Sequence, residues 1–166
     1  MILGMSTATY TLLHVVISFV GIGTGLVVLC GFLKARNLNT WTAVFLATTA
    51  LTSITGFGFP FAQLLPSHVV AILSLIAIAL AIPALYVFHL QGAWRSIYVI
   101  ASATALYFNV FVLVVQSFEK VSALRALAPT QKEPPFLVSQ LLVLIVFVML
   151  TILAAKRFHP GSTQTV

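Results

Sequence analysis

The stretch TYTLLHVVISFVGIGTGLVVLCGFL, residues 9–33, contains no Lys, Arg, Asp or Glu and ends just before Lys34 and Arg36. An α-helix needs about 20 consecutive, mostly apolar residues to cross the hydrocarbon core of a bilayer. Cations directly after such a run are typical of the boundary between membrane and water. The stretch therefore predicts a transmembrane helix.

Four further stretches are also long and mostly apolar, and they cover residues 41–65, 67–90, 95–118 and 135–157. Of the 166 residues, 61% are hydrophobic and 6% are charged, whereas a soluble domain carries about 25% charged residues. So little charge cannot cover a water-exposed surface. The sequence therefore predicts an all-α polytopic membrane bundle, with one transmembrane domain over residues 1–166 and five spanning helices.

The charged residues fall into two groups at opposite ends of the predicted spans. One end carries only cations: Lys34, Arg36, Arg95, Lys156 and Arg157. The other end mixes cations with carboxylates: Lys120, Arg125, Lys132, Glu119 and Glu133. Because cytoplasmic loops carry the excess of Lys and Arg, we expect the first end inside, with the N-terminus outside and the C-terminus inside. The cations are scattered rather than clustered, so nucleic acid is not an expected partner.

The longest hydrophilic stretch, residues 119–134, lies on the predicted outer side. Apolar residues recur in it with helical spacing at Val121, Leu124 and Ala128. This pattern predicts a short helix lying on the membrane interface over about residues 119–128. A plain loop is the alternative.

Groups that usually perform chemistry in membranes are scarce in this chain. It has no Asp, its two acidic residues both lie in the outer loop, and Cys30 is its one cysteine. This composition argues against carboxylate-based proton coupling at bilayer depth, paired-carboxylate or Ser-His-Asp hydrolysis, Mg²⁺ or Ca²⁺ sites and disulfides or cysteine clusters. The residues favour a non-enzymatic protein without a bound metal.

The first span carries a face of small and polar residues. His14, Ser18, Gly21 and Gly25 follow one another at helical spacing, which places them on one side of the helix. Gly21 and Gly25 form a GxxxG pair, which lets a second helix approach closely in lipid. We therefore predict helix packing at the two glycines and an inward-facing His14.

Most other polar residues of the spans fall in the predicted outer half of the membrane: Thr52, Thr55, Asn109, Gln116 and Gln140. Polar residues at this depth face protein or water and often mark function. Together with His14 and Ser18, they predict a ligand pocket that opens outward and is rimmed by Phe57, Phe59 and Phe61. The alternative is that they only hydrogen-bond helix to helix.

Two histidines, His14 and His68, lie near one level, as the axial ligands of a haem b would. His89 lies at the other end of the span that His68 begins, so these two cannot share a metal. The alternative is that His68 and His89 are interfacial and that His14 is a hydrogen-bonded bundle residue.

The segments TYTLLHVVISFVGI, TTALTSITGFGFPF and LLPSHVV resemble small multi-pass membrane proteins of bacteria. The resemblance extends over the whole chain. It implies a location in the bacterial inner membrane and brings no activity, cofactor or substrate with it.

Three functions agree with these observations. The first is an accessory or assembly subunit, or a small ligand-binding bundle, whose partners are the lipid bilayer and a second membrane protein or further copies of the chain. The second is a redox protein that holds haem b or quinone near His14. The third is an oligomeric channel or facilitator for a small neutral solute, with Thr52, Asn109 and Gln116 along the pathway.

Overall fold

The computed structural model describes residue 2 and residues 4–59 and 66–159, which form six helices. They are α1 (Thr7–Leu33), α2 (Asn39–Gly56), α3 (Pro66–Tyr86), α4 (Ala93–Lys120), α5 (Ser122–Leu127) and α6 (Pro134–Arg157). Apart from one bridge between Ile2 and Met5, the described residues form no β-structure. The predicted all-α class is confirmed.

Four of these helices, α1, α3, α4 and α6, are long and apolar enough to cross a membrane. By length and composition they are candidate membrane-spanning helices, as in a membrane protein. The second predicted span behaves differently, because α2 is 18 residues long and ends at Gly56. Gly58 and Pro60 follow closely, and glycine and proline end helices. Residues 57–59 form a turn and a bend, and residues 60–65 lie outside the described part of the chain.

The observed helix ends differ from the predicted limits of the spans at positions where a side chain or a turn caps the helix. α1 begins at Thr7 because the Ser6 hydroxyl accepts a hydrogen bond from the Thr9 amide at 3.1 Å. α3 ends at Tyr86, four residues before the predicted end, and His89 and Leu90 then adopt left-handed backbone angles (φ 46° and 60°). The ring of Phe88 stacks on Trp94 across this turn, with 3.8 Å between the ring centroids.

The connection between α4 and α6 contains the short helix α5 and leads into a capped start of α6. α5 has no buried residue, as expected of a helix lying on a surface. The Glu133 carboxylate accepts hydrogen bonds from the backbone amide and hydroxyl of Thr130 and from the Lys132 amide. Desolvation acts to raise the pKa of the Glu133 carboxyl, but these hydrogen bonds outweigh it and lower the pKa below its ordinary value.

Helix α4 lies at the centre of the bundle and packs against all five other helices. α1 pairs with α2 and α3 pairs with α4, while α6 lies at the edge against α4 and α1. The faces joining α3 and α4 bury mainly small residues: Ser74, Ala77, Ala81 and Ala84 on α3, and Ala101, Ser102 and Ala105 on α4. Small residues let backbones approach closely, which is the main source of helix association in lipid.

Candidate functional site

Three helices meet at a small polar contact, here called the central node, made of Gly21 on α1, Thr49 on α2 and Asn109 on α4. The Asn109 amide Nδ2 donates to Thr49 Oγ1 at 3.0 Å, and both residues are buried. A Cβ atom on Gly21 would lie 3.3 Å from Thr49 Oγ1 and 3.5 Å from Asn109 Nδ2. The absence of a side chain at Gly21 therefore lets α1 close over the Asn109–Thr49 hydrogen bond.

One helical turn along α1, Gly25 makes an even closer contact. A Cβ atom there would lie 2.6 Å from Leu106 Cδ1 and 2.8 Å from the Phe45 ring. Phe45 and Leu106 are each only 1% exposed. The interior next to the central node is therefore filled by apolar side chains packed directly on the α1 backbone.

The basic end of the bundle is filled by an aromatic cluster. Phe32 and Phe158 lie edge to face with 4.8 Å between their ring centroids, and Phe32 meets Tyr98 at 5.2 Å. The Tyr98 and Thr42 hydroxyls are 3.1 Å apart in the interior. Phe158 follows the end of α6 and is fully buried, so this contact fixes the C-terminal end of α6 to α1 and α4.

At the opposite end, residues of α1 contact the end of α2 and the segment after it. His14 Nδ1 lies 2.8 Å from Thr55 Oγ1, and the Tyr10 hydroxyl donates to the Thr55 carbonyl at 2.8 Å. The Phe59 ring stands edge-on to the rings of both Tyr10 and His14. We call Tyr10, His14, Thr55 and Phe59 the histidine cluster.

Thr55 also bonds within its own helix. The Thr55 hydroxyl donates to the Leu51 carbonyl at 2.7 Å, within α2. With its one hydrogen used there, Thr55 Oγ1 is an acceptor for the His14 tautomer that carries hydrogen on Nδ1.

His68 is buried against protein, with 4% of its surface exposed. Its ring stacks on Phe57 with 5.1 Å between centroids, because the turn after α2 passes over the first turn of α3. His89, in contrast, is exposed. Over the described residues, no group of three His, Cys, Asp or Glu side chains could hold a metal ion. The haem hypothesis for His14 and His68 stays a prediction.

The predicted site residues do not form one group. Thr55 contacts His14, whereas Asn109 lies in the central node and Gln140 donates from Nε2 to the Phe111 carbonyl at 3.2 Å, tying α6 to α4. Ser18 donates to the His14 carbonyl within its own helix. Thr52 Oγ1 is buried without a partner among the described residues, and Gln116 is exposed. Of the predicted rim, Phe57 and Phe59 contact histidines and Phe61 lies outside the described residues.

Two residues that matter in this arrangement are absent from the predicted site. Thr49 lies on the buried face of α2 with Thr42 and Ser53, and this spacing of seven and four residues was the available signal. Tyr10 lies four residues before His14 on the same side of α1, so the same rule applies there.

Two surface depressions lie away from the predicted pocket. The larger, called the α4/α6 groove, has a volume of about 540 Å³ and runs between Ile100–Phe108 on α4 and Leu144–Lys156 on α6. The second, of about 470 Å³, lies in the connection between α4 and α6 and is lined by Phe118, Glu119, Lys120, Arg125, Pro129, Thr130 and Gln131. The first is almost wholly apolar and the second is mostly polar.

Comparison of the chain with known protein families, with curated proteins and with solved structures gives no match.

Proposed function

We propose that the chain is a non-enzymatic accessory or assembly subunit of the bacterial inner membrane that acts through its lipid-facing surface. One observation carries the proposal: three hydrogen-bonded contacts between polar side chains cross from helix to helix within the bundle. Asn109 bonds Thr49, His14 bonds Thr55 and Thr42 bonds Tyr98. Side chains used in this way hold the bundle together and leave its outer surface to recognise a partner.

Helix α6 is the element best placed for such recognition. Only Phe147 and Ala154 are buried along its 24 residues, whereas α4 buries residues along most of its length. The side away from the bundle carries Leu142, Val146, Met149 and Leu153, all exposed. Their spacing of four, three and four residues defines one helix face, which we propose as the surface for a membrane-protein partner.

Photo-crosslinking at Met149 tests the partner. A photoreactive amino acid placed there should give one discrete adduct with a second protein in native membranes, because the face is within contact distance of that partner. Ile76 on α3 is exposed to a similar extent, 52% against 58% for Met149, and provides the matched control, for which we expect no such adduct.

The masses of the adducts decide the outcome. A second protein captured equally at both positions, or lipid alone at Met149, would contradict the accessory role. An adduct with the mass of two copies of the chain would replace the accessory role with a homo-oligomer.

We also propose that α2 is a fifth span, which places the N-terminus outside and the C-terminus inside. Support comes from the way its polar residues are distributed. Thr42, Thr49 and Ser53 are buried against the bundle, while Val44, Leu51 and Ile54 are exposed. Three of the polar residues that make α2 less hydrophobic overall therefore point away from lipid.

Cysteine labelling tests this topology. With Cys30 replaced by serine, Ser67→Cys at the start of α3 should react with a membrane-impermeant maleimide in intact cells. Asn39→Cys at the start of α2 should react only after permeabilisation. Both positions are exposed, so reactivity reports the side of the membrane. Equal labelling of the two would mean that α2 does not cross, and the opposite order would reverse the orientation.

A further inference from the structure

We propose that the α4/α6 groove binds one acyl chain of an anionic phospholipid, whose headgroup phosphate lies beside Lys156. The site is separate from the exposed face of α6 proposed for a protein partner. Four observations support it: the apolar lining of the groove, its boundaries, its length and the charge at its end.

The groove offers a lipid chain an apolar surface. Its volume of about 540 Å³ is walled by apolar side chains, and Ala103 and Ala155 leave room between the two helices. The rings of Tyr107 and Phe147 contribute at 5.7 Å between centroids, and Phe147 is 8% exposed. Van der Waals contact with a flexible chain recovers attraction that neither helix can supply across this gap.

Contacts at both ends of α6 hold the groove open. Toward the outer side, Phe136 meets Phe118 edge-on at 5.4 Å, and Gln140 bonds the Phe111 carbonyl. At the other end, the buried Phe158 is inserted between α1 and α4. α6 is therefore fastened above and below the groove, so the gap is part of the fold.

The length of the groove favours a lipid chain over a helix of another protein. From Leu144 to Lys156, the rise of about 1.5 Å per residue gives roughly 18 Å. This is a little more than half of the hydrocarbon core, which is about 30 Å thick. A groove of this length matches one acyl chain, whereas a spanning partner helix needs contact over the full thickness.

The positive charge at the Lys156 end of the groove favours an anionic headgroup. Lys156 lines the groove directly, and the same end of the bundle carries Lys34, Arg36, Arg95 and Arg157. The chain's two acidic residues, Glu119 and Glu133, lie at the opposite end. Cations next to a membrane surface attract acidic lipids over neutral ones.

Native mass spectrometry of the full chain tests the site. The protein is exchanged into an equimolar mixture of phosphatidylglycerol and phosphatidylcholine, and the lipid that stays bound is counted. We expect one phosphatidylglycerol to be retained in preference to phosphatidylcholine. Lys156→Gln should reduce that preference about fivefold, the effect of one cation near a lipid surface. Lys132→Gln, which removes a cation from the other end, should leave it unchanged.

A second pair of variants tests the groove itself. Ala155→Phe fills it and should abolish retention of either lipid, whereas Ala79→Phe on the exposed side of α3 should not. Equal retention of the two lipids by the unaltered chain, or equal effects of Lys156→Gln and Lys132→Gln, would overturn the proposal. A chain that forms a dimer and retains no lipid would also overturn the proposal. If Ala155→Phe does not fold, the lipid preference of the Lys156→Gln variant, at an exposed position, still tests the site. The Met149 crosslink tests the partner role separately.

Discussion

Gly25→Ala should destabilise the bundle by about 1–3 kcal/mol, the usual cost of forcing extra volume into a packed interior. The new methyl group would lie 2.6 Å from Leu106 and 2.8 Å from Phe45. Both side chains are almost completely buried, so neither can move aside without disturbing α2 or α4. Unfolding of the purified protein in mixed micelles, followed by tryptophan fluorescence, measures the free-energy change.

Gly23→Ala provides the control on the same helix. Gly23 is exposed and nothing lies within 4 Å of the position a Cβ atom would take. Alanine is favoured over glycine inside a helix by roughly 0.5–1 kcal/mol, so we expect this variant to be as stable as the parent or slightly more stable. Equal destabilisation by Gly23→Ala and Gly25→Ala would contradict the placement of α1 against α2 and α4.

Gly21→Ala should change the free energy of unfolding by an amount between the changes for Gly25→Ala and Gly23→Ala. Its Cβ would meet hydroxyl and amide atoms at 3.3–3.5 Å, where a shift of a few tenths of an ångström suffices. The two glycines of the GxxxG pair therefore have different structural roles: Gly25 allows apolar packing, and Gly21 leaves room for a hydrogen bond. The spacing of the motif predicts that another helix approaches α1 closely. It does not show which side chains of that helix make the contact.

Hydrophobic length predicted the four confirmed apolar helices well, because the requirement to bury every backbone polar group leaves helices as the solution in lipid. It worked least well for α2. The apolar run continues beyond Gly56 in the sequence, but hydrophobicity does not report the helix-ending effect of Gly56 and Gly58. Similarly, the end of α3 depends on a turn through His89 and Leu90, which no apolar pattern encodes.

The contacts of the site were harder to predict. Helical spacing shows which side chains share one face of a helix, but it does not show which residues of another helix contact that face. Asn109 and His14 could be assigned to inward faces, yet their partners Thr49 and Thr55 depend on how the helices are set against each other. Thr48 and Thr55 donate to carbonyls of their own helix, as threonines often do. Such bonds within one helix make a run of threonines weaker evidence for contacts between helices, and Thr49, which joins α2 to α4, was not among the predicted site residues.

Asn109→Asp should be among the most destabilising single substitutions in this chain. The side chain keeps its size, but at pH 8 it would place a carboxylate in the central node, where Asn109 is 8% exposed. A charge near the centre of a membrane helix costs about 2.5–3.5 kcal/mol on insertion scales. Thr49 offers one hydroxyl, and Gly21 offers no side chain at all. We expect a loss of about 3 kcal/mol, measured by the same unfolding experiment.

Gln116→Glu makes the same chemical change two helical turns along α4, at an exposed position, and should change stability by less than about 0.5 kcal/mol. The comparison also separates the two hypotheses for the polar residues. In a packed interior the carboxylate at position 109 cannot be hydrated, whereas in a water-filled pocket or solute pathway it would be solvated at little cost. A small effect of Asn109→Asp, close to that of Gln116→Glu, would therefore favour the pocket and remove the main support for a function confined to the surface.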